Sequence, residues 1–214
     1  AFEGTTLAWG TDTLATLKER APAYGITIVS SSMAEPKTKD LSIQAKQLKE
    51  SGAQALICTD YEAETVVLAR ALKAIGWKPY VIHTSAANIN ASVSLSTPET
   101  FDGWETVATV DTSKPLVQKI WSKTEAYAGK KIDHDEKAIR AYDAIMLLVE
   151  ALKKSGNVND ATAIRDAYYK LPAYERALGA KGDKGGFAEG KNHLLSAEGV
   201  VIYALKAGKM VAAK

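Results

Sequence analysis

The sequence predicts an α/β fold built on an open parallel sheet with helices on both faces. Three observations predict it. Short, nearly continuous apolar runs at Ile26-Thr27-Ile28-Val29, Ala55-Leu56-Ile57-Cys58 and Tyr80-Val81-Ile82-His83 have the composition of strands buried on both faces. The segments between them carry apolar residues at helical spacing. The interval from one run to the next is about 25 to 30 residues, the length of a βαβ unit, whose crossover is right-handed.

The elements follow in order. Ala1-Phe2-Glu3 before Gly4-Thr5-Thr6 reads as the tail of a strand and the loop after it, so the chain is expected to begin inside a fold. Leu14, Leu17 and Ala21 share one helical face after the capping candidates Thr11 and Asp12, and Pro22 with Gly25 closes that segment. Leu41, Ala45 and Leu48 form the next face, from Asp40 to Gly52. Val66, Ala69, Leu72 and Ile75 form a third stripe that stops at Gly76, in the position of a helix-ending glycine. Asn88 to Thr97 is a looser, Ser-rich stretch, and Glu105 to Val110 reads as a further strand.

Beyond that strand the pattern changes. Pro115 suits a first helical position, and Leu116, Ile120 and Lys123 to Tyr127 carry a helix to Gly129. The longest helix is predicted from Asp135 to Lys154, with Ala138, Tyr142, Ile145, Val149 and Leu152 on one side and Gly156 stopping it. Asp160 caps a shorter helix containing Ile164, Ala167 and Leu171. Helices in succession with no strand between them cannot continue a βαβ series, which puts a boundary near Asp111 to Pro115. Gly179 to Gly190 reads as a loop. Val200 to Tyr203 and Met210-Val211, joined through Lys206-Ala207-Gly208-Lys209, read as a terminal hairpin.

Composition narrows the function. With 214 residues and 46% hydrophobic content, the chain can bury a sizeable core, which excludes disorder. The 27 Lys and Arg against 25 Asp and Glu leave a net charge of +2, too little for a nucleic-acid-binding footprint. A single cysteine, Cys58, excludes an intrachain disulfide framework and a multi-cysteine zinc site. No apolar run approaches the roughly 20 residues of a membrane span. The first residues lack the basic and apolar regions of a signal peptide, so any targeting segment is expected to be absent from this sequence.

Catalytic signatures are missing. Gly182-Asp183-Lys184-Gly185-Gly186 has neither the spacing nor the following Ser or Thr of a phosphate-binding loop. His83, His134 and His193 are far apart and read as strand-end or surface residues, and Cys58 reads as a buried, inert thiol. No catalytic residue, metal ligand or cofactor is expected. Aromatic and hydroxyl residues do gather after successive strands, in the loops Thr5 to Asp12, Thr59 to Glu64 and Thr84 to Asn88. Trp9, Tyr61, Thr84 and Ser85, with Asp60 beside them, have the composition of a small-molecule cleft at the carboxyl edge of a parallel sheet.

Several segments carry a family resemblance. Leu7-Ala8-Trp9-Gly10-Thr11-Asp12, Asp40-Leu41-Ser42-Ile43-Gln44 leading to Leu48 through Ile57, Ala141 through Leu148, and the closing Gly199 to Lys209 hairpin resemble type I periplasmic solute-binding proteins of the leucine/isoleucine/valine-binding kind. The resemblance covers essentially the whole chain and rests on order and spacing. It implies that residues 1–110 and 200–214 form the second ligand-binding lobe, and that 111–199 form a hinge crossing and helices of an incomplete first lobe. It places ligand positions on Trp9, where a stacking aromatic is common, and on Tyr61. The acid that pairs an amino-acid ammonium falls near Ala86, where this chain has no carboxylate; unless Asp60 or Glu62 swings in, an ammonium would stay unpaired at a cost of several kcal/mol.

The expected function is therefore solute capture for an ABC importer by hinge closure, without chemistry, for a branched-chain amino acid or a related small carboxylate, aromatic ones included. Two alternatives stand beside it: a ligand-sensing regulator of the same fold, and a small α/β enzyme. The expected partners are the small molecule and a membrane ABC permease, with a periplasmic or other extracytoplasmic location. The stripe on the longest helix is expected to need a cover, from a complementary fragment, a second copy of the chain or a rearranged helix pair, and the isolated chain is expected to bind no ligand tightly.

Overall fold

A computed structural model describes residues 1–132, 134, 136–191 and 193–213. The chain forms two compact units, one of Ala1–Val107 with Ile202–Lys214 and one of Ala108–Val201.

The first unit is built on a sheet. Its strands are β1 (Phe2–Thr5), β2 (Ser31–Ala34), β3 (Ala55–Thr59), β4 (Tyr80–His83), β5 (Glu105–Ala108), β6 (Val201–Lys206) and β7 (Lys209–Ala212), in the spatial order β2-β1-β3-β4-β5-β6-β7. The pairs from β2 through β5 are parallel, with Phe2 opposite Ser31 and Ile57, and Ile57 opposite Ile82. β6 and β7 form an antiparallel hairpin, its turn made by Ala207 and Gly208 at φ of 49° and 71°.

The run Ile26 to Val29, predicted as a strand, lies just before the ladder, which begins where Phe2 N–H donates to Ser30 O at 3.0 Å. β2 is the edge strand, and an edge does not require an apolar run; Ile26 and Val29 stay 52% and 53% exposed.

Helix α1 (Ala8–Arg20) starts earlier than its predicted caps, so Thr11 and Asp12 lie inside it. The reason is a close approach: a Cβ on Gly10 would stand 2.0 Å from Thr5 O, so only glycine lets the helix rise directly off the end of β1. A 3-10 turn (Ala21–Tyr24) and Gly25 at φ 69° end the segment. Helix α2 (Ser42–Glu50) follows Asp40, whose Oδ1 accepts from Ser42 N–H at 2.9 Å. Helix α3 (Glu62–Ala74) buries Val66, Leu68, Ala69 and Leu72. The stretch read as loose contains helix α4 (Ala86–Ser94), capped by Ser85 Oγ accepting from Asn88 N–H at 3.3 Å.

The sheet order reverses after β2, so right-handed crossovers put α1 on one face and α2, α3 and α4 on the other. Leu41, Leu48, Leu56, Leu68, Val81, Ile89 and Phe101 form the core of this unit and are almost wholly buried.

The second unit is helical: α5 (Pro115–Ala128), α6 (Glu136–Ser155) and α7 (Ala161–Tyr169). Asp160 Oδ1 caps α7 through Ala163 N–H at 3.0 Å. The predicted start of α6 at Asp135 lies outside the described residues. Its buried row is Ile139, Asp143, Leu147 and Ala151, one step round from the predicted stripe, of which Ile145 is 60% exposed. Asp143 decides the phase: its carboxylate accepts from Ala177 N–H at 3.2 Å and Leu178 N–H at 2.7 Å. Buried Lys114 donates to the carbonyls of Arg176, Leu178 (3.0 Å) and Gly179 (3.1 Å), so the same segment is tied on both its donors and its acceptors. His134 stacks on Trp121 at 4.6 Å and lies 3.0 Å from Glu125. No helix among the described residues is long and apolar enough to cross a membrane.

Candidate functional site

In an open parallel sheet, ligands bind outside the carboxyl ends of the strands, at the point where the order reverses. Here that point lies between β1 and β3. Trp9 follows β1 in the first turn of α1, and Tyr61 follows β3 as the residue that opens α3. Their rings meet edge to face, with centroids 5.3 Å apart and planes at 63°. Tyr61 is 37% exposed and Trp9 half-buried, so both keep surface for a ligand. Thr84 and Ser85 follow β4 and are half-buried. Thr84 Oγ1 donates to Thr59 Oγ1 at 3.0 Å, which ties the β3 and β4 edges together. The N-terminus of α1 has no side-chain cap among the described residues and no acid in its first turn, a setting that favours a negative group nearby.

Asp60 is placed differently from the other four. It is fully buried and turned into the sheet, where Oδ2 accepts from the Cys58 thiol at 3.7 Å. Glu3 of β1 is buried with it, and no donor among the described residues reaches either Glu3 oxygen or Asp60 Oδ1. Burial, then a hydrogen bond to Asp60 and the negative charge of Asp60 and Glu64, holds the Glu3 carboxyl far above the usual range; burial raises Asp60 as well. Two carboxyls buried side by side favour retention of a proton on the pair. Glu64 is also buried and accepts from Lys37 N–H at 2.5 Å.

His83 ends β4 beneath the rings, with its own ring 6.4 Å from that of Trp9. Nδ1 accepts from Ser85 N–H at 3.1 Å, and Nε2 lies 3.2 Å from both Asp60 O and Thr65 Oγ1. The Nε2–H tautomer satisfies this set. Burial pushes the imidazole down to about 4, so it is neutral at physiological pH.

The ligand atoms of Glu3, Cys58 and Asp60 lie within 4.8 Å of one another, the spacing of a small cation site. Their chemistry fits a proton-bearing cluster instead: the thiol donates to Asp60, and burial with the neighbouring charge of Asp60 and Glu3 pushes the Cys58 thiol well up. The edge as a whole offers rings and hydroxyls outside and buried acids inside. Sequence reasoning missed Glu3 and the linking role of His83. A charged residue inside a β-prone run and a histidine closing an apolar strand were the available signals.

A periplasmic binding protein family model matches residues 1–208. The chain belongs to this family. A Leu/Ile/Val-binding protein of Rhizobium johnstonii is 24% identical over 207 residues, covering 97% of this chain and 54% of that protein. A Leu/Ile/Val-binding protein homolog of Brucella melitensis is 24% identical over 155 residues, covering 72% and 41%. The chain thus spans about half the length of these relatives. Among solved structures, a branched-chain amino acid ABC transporter protein of Thermus thermophilus with bound valine matches with a TM-score of 0.83 at 13% identity, covering 100% of this chain and 58% of that one. A leucine binding protein of Thermotoga maritima matches with 0.80 at 18% identity, covering 100% and 59%. These likenesses establish the type I periplasmic binding protein fold of the chain.

Proposed function

We propose that the chain is part of an extracytoplasmic solute-binding component of an ABC importer, which captures a branched-chain amino acid or a related small carboxylate, aromatic ones included, by hinge closure. The observation that carries the reading is the Trp9 and Tyr61 pair at the reversal point between β1 and β3, with the Thr84 and Ser85 hydroxyls on the adjoining edge. The rings cover the apolar part of a solute, the hydroxyls and the first turn of α1 take its polar end, and closure excludes water from both. In this reading residues 1–110 and 200–214 act as the second lobe and 111–199 as hinge crossing and first-lobe helices. The ABC permease is the membrane partner. The exposed Ile145, Met146, Leu148 and Val149 on α6 are the surface that a complementary fragment or a second copy covers.

The ligand class follows from what the edge lacks. Ala86 offers no acid, and Asp60 is turned inward and joined to Glu3 and Cys58, so this edge pairs poorly with a free ammonium and well with rings and neutral or anionic groups. Calorimetric titration of the chain together with a complementary first-lobe half, using valine, leucine, isoleucine and benzoate, tests the reading, with the recovered solute analysed for conversion. Heat of binding with the solute returned unchanged is the expected result. Conversion of the solute would indicate an enzyme instead.

A further inference from the structure

One buried side chain reaches every strand end that carries a proposed ligand contact. From β4, the His83 ring accepts from the backbone of Ser85, which caps α4. Across the sheet its Nε2 faces Asp60 O, the carbonyl next to Tyr61, and Thr65 Oγ1, which itself donates to Tyr61 O at 2.8 Å. Asn88 Nδ2 donates to the same Asp60 carbonyl at 3.4 Å, so α4 and the β3 loop meet there. The imidazole and the Trp9 indole of α1 lie 6.4 Å apart, centre to centre, with their planes at 60°. Trp9, Tyr61 and Ser85 come from three separate loops, and His83 touches or is one bond away from each.

We propose that His83 is a positioning residue for the ligand-binding edge, one that fixes Trp9, Tyr61 and Ser85 relative to one another without itself contacting the ligand. The proposal rests on the binding function proposed above. A neutral, fully buried ring suits this position because its two nitrogens differ, Nδ1 accepting while Nε2–H donates. The groups facing it from the packed elements are Asp60 and Tyr61 at the end of β3, Thr65 of α3, Ser85 and Asn88 at α4, and Trp9 of α1; the ionisable neighbours beyond them are Glu3, Cys58 and Glu64. Protonation exchanges the Nδ1 partner. The ring can then no longer accept from Ser85 N–H and must donate to Ser85 O, which lies 3.0 Å away.

The substitutions separate the two tethers. In His83→Asn the side-chain carbonyl can stand where Nδ1 stands and keep the Ser85 bond. In His83→Gln the amide can reach towards Asp60 O and Thr65, keeping the Nε2 side. His83→Ala keeps neither. With valine and benzoate as probes, His83→Ala should weaken binding about tenfold, with a smaller loss in Asn or Gln. In the same samples the Trp9 indole N–H and the Ser85 amide should shift in proton–nitrogen spectra, while circular dichroism stays native. If His83→Ala keeps both wild-type affinity and wild-type Trp9 and Ser85 signals, the proposal is wrong. If the wild type binds neither probe, the binding reading fails by itself, and the Trp9 and Ser85 signals still decide the positioning role. Should the variants fail to fold, the wild-type imidazole decides it: nitrogen shifts of a neutral Nε2–H ring, moving with Ser85 and Trp9 at a midpoint near about 4, support the role. An Nδ1–H ring, or titration near 6.5 with Trp9 and Ser85 unmoved, overturns it.

Discussion

The Tyr61 ring meets the indole of Trp9 edge-on at 5.3 Å, so the two aromatics hold each other in place without a ligand. Such a pair contributes roughly 0.5 to 1.5 kcal/mol beyond burial and presets the surface a solute meets. In an otherwise complete protein, Trp9→Ala should therefore weaken solute binding about tenfold or more, on the order of 1.5 to 3 kcal/mol. Tyr61→Phe keeps the ring contact and loses only the hydroxyl, at about 1 kcal/mol. Calorimetry on both variants checks the order, and an undiminished affinity in Trp9→Ala would remove that ring from the site.

The Glu3 and Asp60 pair predicts how stability responds to alkali. Glu3 is held up to about 11 in the folded state against 4.5 in the unfolded chain, so its contribution is fully present below 4.5 and is lost as pH rises towards 11. Glu3→Gln removes this titration. Urea unfolding between pH 7 and 9, above the range in which His83 titrates, should show a flatter dependence in the variant than in the wild type.

His83 works in the opposite direction. Its folded value of about 4 lies below the ordinary 6.5, so its contribution is present above 6.5 and is lost as pH falls through about 4. Between 4.5 and 6.5 the two groups offset each other in the wild type. Glu3→Gln should therefore expose a loss of stability on acidification over that window, and a second substitution, His83→Gln, should abolish it. A Glu3→Gln protein equally stable at both ends would show that His83 does not titrate as its burial requires.

In the second unit the sensitive point is Asp143. Its carboxylate satisfies two buried backbone donors, those of Ala177 and Leu178. Asp143→Ala leaves both unpaired and should cost about 2 to 4 kcal/mol. Asp143→Asn, which keeps one acceptor, should cost about half as much. Denaturant unfolding gives the magnitude, and faster amide exchange at 177 and 178 gives the location.

Much of this fold was legible in the sequence where the physics is local or periodic. The runs at Ala55 and Tyr80 became interior strands because both of their faces are covered, Pro115 and Gly129 bounded a helix by their own backbone chemistry, and Asp160 bounded another with its capping carboxylate. What failed depended on tertiary contact. The start of α1 is set by how closely Gly10 approaches Thr5, and β2 lies at an edge where hydrophobicity is no guide. The Ser- and Asn-rich α4 has weak propensity and is held by its Ser85 cap. On α6 the apolar residues run round more than one side, so the carboxylate of Asp143, not the apolar stripe, chose the buried face. At the site, order along the chain brought Trp9 and Tyr61 together, whereas nothing in the sequence tells that Asp60 turns inward to Glu3 and Cys58.

The central claim is that solutes bind at the edge formed by Trp9, Tyr61, Thr84 and Ser85, and its most direct test is a nuclear magnetic resonance titration with valine, leucine and benzoate. The account predicts that at least one of these solutes shifts the Trp9 indole, the Tyr61 ring and the Thr84 and Ser85 amides together, with the solute recovered unchanged. Shifts that spare all four residues, or a solute converted to product, would contradict it.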